Sequence, residues 1–172
     1  MTKLQKKMAG LESTRLKLNT LLATYSDTEL NKTPPSGGWS PAEVLKHIVD
    51  VEQATLSYCE YKLQKGEPLR KSGLREKRNA LLLKLALLAP LKFHAPSALP
   101  TVQGPYNTVQ LLHEWELLRK KYQLFTDSFP AVSAKSGIFR HPRAGMLSMS
   151  DTLAFLQAHL SRHVRQLKRS LR

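Results

Sequence analysis

Leu111, Trp115, Leu118, Tyr122, Phe125 and Phe129 recur at alternating steps of four and three residues. That period draws one apolar stripe down a helix and cannot be satisfied by a strand, whose faces alternate every second residue. Three other segments carry stripes of the same kind. Residues 3–25 place Leu4, Met8, Leu11, Leu18, Leu22 and Tyr25 on one face, interrupted by Arg15. The sequence Ser40-Pro41-Ala42-Glu43 pairs a capping serine with a proline at the first helical position and a glutamate three residues on. This is a strong helix start. It opens a stripe of Val44, His47, Ile48, Val51, Thr55 and Tyr58, running to about Leu63. Ser148 and Asp151 cap a last helix over 148–171, with Leu153, Leu156, Leu160, Val164, Leu167 and Leu171 inward. Leucine outnumbers valine and isoleucine, which also favours helix. No segment alternates as a strand, and 130–145 reads as a loop. Four long amphipathic helices predict an all-α fold, a four-helix bundle, as one domain over 1–172.

The connections are punctuated. Thr33-Pro-Pro-Ser-Gly-Gly38 marks a loop over 31–39. The 66–105 connection is longer and basic. Its Arg70 to Arg78 run precedes Leu81 to Leu88, which predicts an extra helix over 75–88 ended by Pro90, then a long link over 92–105. Leucines preceded by cations also fit a membrane-surface helix. Because they are nearly continuous around the helix, burial against the bundle is the expected outcome. The apolar run carries Lys84 and is too short to span a bilayer, no apolar signal core follows Met1, and the expected location is the cytoplasm.

A single cysteine, Cys59, excludes a disulfide framework and a cysteine-built zinc site within one chain. Lys and Arg outnumber Asp and Glu by 27 to 13, for a net charge of +14. Such charge suits nucleic acid, an acidic partner or small anions. The cations are spread over every helix without interleaved aromatics, so nucleic acid is not expected. A non-catalytic binding protein using this basic surface for nucleic acid or an acidic partner is the alternative function class.

The chemistry concentrates in histidine. His159 and His163 lie four residues apart, on one side of the last helix at the edge of its apolar stripe. His47 lies in the middle of the second stripe. If those helices are neighbours, three neutral imidazoles converge and leave a position open, which suits a catalytic zinc, nickel or iron ion. The competing reading is three satisfied core histidines. Asp50 and Glu52 follow His47 closely; Asp50, within one turn, is a candidate to orient a ligand or act as a base, or is a solvated carboxylate. His141, in a loop before the last helix, is a candidate acid or substrate contact, or shapes the loop. Cys59 reads as a small buried hydrophobe, His113 as exposed, and Trp39 as a staple before the second helix. Arg162 and Arg165 flank the histidine pair as anion contacts or helix-terminal charges.

Two stretches carry a family likeness. Trp39-Ser-Pro-Ala-Glu-Val-Leu-Lys-His47 and the run from Phe139 through His159-Leu-Ser-Arg-His163-Val-Arg-Gln166 resemble the DinB-like (DNA-damage-inducible B, or YfiT-like) metalloenzymes. In that family a Trp-Ser/Thr pair opens the second helix ahead of a histidine, and the last helix bears His-x-x-x-His with a glutamine shortly after. The resemblance implies an up-down-down-up bundle with His47, His159 and His163 as a metal triad. It implies a divalent transition metal, zinc or nickel before iron. Members include bacillithiol-using thiol transferases and mycothiol-dependent isomerases. The expected activity is therefore a metal-dependent transferase or hydrolase, activating a thiol or water for a small anionic or thiol substrate, with a homodimer as one assembly. The basic 66–105 insert exceeds what a minimal member needs.

Overall fold

The structure, a computed structural model, describes residues 1–35, 37–66, 68–89, 102–130 and 133–171. Six helices and one hairpin follow in order: α1 (Lys3–Leu22), α2 (Asp27–Asn31), α3 (Pro41–Gln64), α4 (Leu74–Leu88), α5 (Thr108–Ser128), β1 (Gly137–His141), β2 (Gly145–Ser148) and α6 (Met149–Ser170). The four long stripes become α1, α3, α5 and α6, a four-helix bundle.

The helix starts are written locally. Thr2, Ser26 and Ser40 each form a reciprocal capping box with Gln5, Glu29 and Glu43. The Ser148 hydroxyl accepts from the Asp151 amide to begin α6. These bonds satisfy amides that the helix itself leaves without partners.

Around the bundle, α1 lies between α6 and α5, and α3 completes the square between the same two. Long-range hydrogen bonds fix the directions. Lys7 Nζ donates to the Ser150 carbonyl and Gln157 Nε2 to Thr14 Oγ1, so α1 and α6 run parallel. Gly104 N donates to Glu43 Oε1, while Trp115 and Arg119 reach Glu52, so α3 and α5 also run parallel. Gln5 meets Asp127 at the far end of α5, which makes α1 and α5 antiparallel. The order is therefore up-down-down-up, as the resemblance implies. Met8, Leu11, Leu18, Leu45, Ile48, Leu56, Trp115, Tyr122, Leu153 and Leu160 fill the centre.

Four features depart from the expectations. The first helix ends at Leu22 rather than Tyr25, and a short α2 precedes the 31–39 loop. Asp27 of α2 accepts from the Thr108 amide and hydroxyl, tying that turn to the start of α5. The stretch read as a 130–145 loop contains β1, which pairs antiparallel with β2. His141 faces Gly145 across a three-residue turn, and Gly145 has φ +78°, the left-handed backbone that such a turn requires at its end. Pro142 at the turn and the shortness of both strands hide the alternation.

The fourth concerns the extra helix. It forms over Leu74–Leu88, but of its leucines only Leu87 is buried; Ala80 and Leu83 pack partly against the core. Leu74, Leu81, Leu82, Leu85 and Leu88 face outward, so the expected burial holds for one side alone. The α3–α4 link is clipped to the hairpin by Ser72 N to Lys135 O and Gly137 N to Arg70 O. The link expected over 92–105 lies outside the described residues up to 101.

Candidate metal centre

The antiparallel pairing of α3 with α6 brings His47 against His159 and His163, although 112 residues separate the first pair in sequence. All three side chains are buried. His47 Nε2 lies 3.3 Å from His159 Nε2, and His163 Nε2 lies 3.2 Å from the same atom. Tetrahedral coordination at a zinc–nitrogen distance of roughly 2.0–2.1 Å places neighbouring nitrogens about 3.3 Å apart. The two separations to His159 Nε2 match that spacing, and the donor atoms of all three rings lie within 4.8 Å of one another. Among the described residues this is the one group of three or more His, Cys, Asp or Glu side chains whose donor atoms converge. No fourth side chain among the described residues joins it.

The ring of His163 is oriented by a partner. Its Nδ1 lies 2.9 Å from Gln166 Oε1. An amide oxygen only accepts, so Nδ1 carries the proton and donates, and Nε2 turns its lone pair toward the cluster. Burial pushes His159 well below the ordinary histidine range, helped by His163 and His47. Burial, with His47 next, brings His163 to about 4. Burial also lowers His47, against the opposing pull of Asp50. All three are thus neutral near pH 7, the protonation state a ligand needs. Three neutral rings with converging nitrogens form a donor set that could hold one metal ion.

Aromatic side chains border the cluster. The Trp39 ring lies 5.0 Å from His47, so this residue packs directly on a candidate ligand as it leads into α3. Phe155, one turn before His159, lies 5.7 Å from it. The hairpin adds Phe139, 6.1 Å from Phe155, and His141, 4.7 Å from Phe155. Tyr58 closes this wall at 5.6 Å from Phe139. His141 Nδ1 accepts from the amides of Arg143 and Ala144, so the neutral ring keeps its proton on Nε2. The loop-shaping role read from sequence is therefore present. Burial lowers its pKa to about 4, with Arg143 contributing.

The other sequence candidates separate. Asp50 is paired with Lys46 on its own helix and acts on His47 through its charge. Cys59 is fully buried, His113 is exposed, and both match their expectations. Arg165 donates to the carbonyls of Leu87 and Leu88, and Arg162 to that of Ala89. They close the C-terminus of α4, a favourable place for positive charge. Glu52, given no role of its own from sequence, is buried on the opposite side of α3. Its carboxylate accepts from Trp115 Nε1 and Arg119 Nη2, both at 2.7 Å. The signal available in sequence was Trp115 and Arg119, four residues apart on the inward face of α5.

The profile of the DinB superfamily matches residues 11–167. The chain belongs to the DinB superfamily. The matched span includes His47, His159 and His163, so every member of the cluster falls inside the DinB region. YfiT from Bacillus subtilis, described as a probable metal-dependent hydrolase with an unusual four-helix bundle topology, has a similar structure at a TM-score of 0.62. It is 20% identical in sequence, with 98% of this chain and 89% of that chain covered. At that identity the likeness establishes the DinB fold. No curated protein matches the chain.

Proposed function

We propose that this DinB-superfamily protein is a metal-dependent enzyme for a small anionic or thiol substrate, acting by hydrolysis or thiol S-transfer. The observation that carries the proposal is the convergence of His47 and His163 Nε2 on His159 Nε2, at 3.3 and 3.2 Å, with no fourth side-chain ligand among the described residues. The description of YfiT as a probable metal-dependent hydrolase supports it. Nitrogen donors of this kind suit zinc or nickel, with iron next. Such a metal supplies Lewis-acid charge that makes the anion of a water or thiol available near neutral pH.

The protein side of the mechanism lies in fixed groups. Gln166 holds the His163 ring so that Nε2 remains a donor to the metal. The charge of Asp50 favours electron density at His47. Trp39 and Phe155 keep bulk water from the imidazoles, which strengthens every electrostatic interaction there. His141 offers its Nε2 proton as a donor to a substrate lodged along the aromatic wall.

Elemental analysis after purification without chelator tests the reading. One transition-metal ion per chain is expected, lost in His163→Ala while helical content is retained. A parent protein that takes up no transition metal on addition of zinc or nickel overturns it.

A further inference from the structure

The outward side of α4 combines exposed leucine with positive charge. Leu74, Leu81 and Leu88 recur every seven residues, and Leu85 falls between the last two. With Leu82 beside them they form an apolar ridge about 21 Å long. Leu74 is 85% exposed, and Leu81, Leu82 and Leu85 are each 54–56% exposed. Lys77 and Lys84, themselves seven apart, run along one flank; Arg75 and Arg78 occupy the other, beside Leu82. All four cations are exposed. Glu76 is the one acid of the helix, and it turns back to accept from the Gly73 amide. The outward half therefore presents leucine and positive charge without a carboxylate. Arg70 and Lys71 extend the charge past the helix start.

We infer that this face of α4 docks on an anionic lipid surface, holding the bundle on a membrane it does not cross. A convex ridge of leucine offers no groove for the anchor side chains of a protein partner. It fits the boundary between headgroups and acyl chains, which accepts an apolar ridge lying in its plane. The lysine and arginine stems can follow the leucines inward while their charged ends reach the phosphates. A second copy is disfavoured by charge. A two-fold contact sets a patch against itself, and here it would bring four cations against the same four without an acid to pair them. The inner side of α4 is already committed to α6 and β2, so the helix docks without unfolding from the bundle.

Vesicle co-sedimentation of the full chain tests the inference. Phosphatidylcholine vesicles with and without about one-third phosphatidylglycerol are compared at low and high salt. Anionic vesicles should retain the protein, neutral ones should not, and raising salt should release it. Each cation changed to a neutral residue should weaken partitioning by about fivefold. Leu81→Glu/Leu85→Glu should abolish binding; both positions are more than half exposed, and circular dichroism checks that the fold survives. Equal or absent retention on the two vesicle types overturns the inference. So does retention unchanged in the double variant. Self-association of the parent that the same substitutions abolish, without vesicle binding, would assign the face to a second copy and overturn it as well.

Discussion

Replacing Glu52 by glutamine tests the bundle's buried charge with the smallest possible change in shape. Glu52 is 1% exposed, and its two oxygens take the Trp115 indole N–H and the Arg119 guanidinium. Burial pushes its carboxyl above the ordinary range, while Arg119 and the indole pull it back. An amide keeps one acceptor and turns an NH2 toward the other donor. Arg119 has no reserve, because its Nε and Nη1 atoms are buried without partners. Removing one member of a buried pair costs about 3–5 kcal/mol. For a chain of this size that lowers the melting temperature by about 6–20 °C. The double variant Glu52→Leu/Arg119→Met removes both charges and should recover part of the loss. The Trp115 N–H left without its acceptor costs about 1–3 kcal/mol. Urea titration followed by tryptophan fluorescence, with Trp115 in the network, reads all three proteins. A Glu52→Gln variant within about 0.5 kcal/mol of the parent would show the carboxyl already protonated and refute the ion-pair account.

Three further outcomes follow from the site and its surroundings. Cys59 is buried and its thiol is pushed up to about 12 by burial, so native protein should resist a thiol reagent at pH 8 that labels it at once in denaturant; fast native labelling contradicts this. His141 has its pKa lowered to about 4, so its contribution to stability is complete above about 6.5 and declines as pH falls toward 4. His141→Asn keeps an acceptor for the turn amides and should flatten the stability slope between pH 7 and 5 relative to the parent; an unchanged slope removes His141 as its source. Gln166→Leu should weaken zinc affinity by about 10–100-fold in a competition titration with a chromophoric chelator, with Gln166→Glu restoring much of it; equal affinity in the leucine variant means that the bond to His163 does not orient the ligand.

What sequence made legible follows from which interactions are local. The α5 stripe and the Ser40–Glu43 box need only neighbours three or four residues away, and the structure places both as read. His47 could be placed on an inward face, but its meeting with α6 needed the bundle's order, which came from the family resemblance. The hairpin escaped because β1 and β2 have five and four residues, too few for a period to emerge around Pro142. Glu52 escaped because its partners Trp115 and Arg119 lie on a helix more than sixty residues away. On α4, leucine on both sides left no pattern to tell the protein-facing side from the outward one.

The parallel pairing of α1 with α6 has a consequence for how the chain is made. The first and last long helices are neighbours, and the three imidazoles come from α3 and α6. A growing chain that has emitted α1, α3 and α5 holds His47 beside an unfilled side of the square. The cluster therefore cannot form before α6 has left the ribosome and docked. Closing so long a loop is slow compared with forming the helices themselves. Acquisition of the three-imidazole arrangement is thus a late event of synthesis, and a ribosome-stalled chain ending before α6 should lack it.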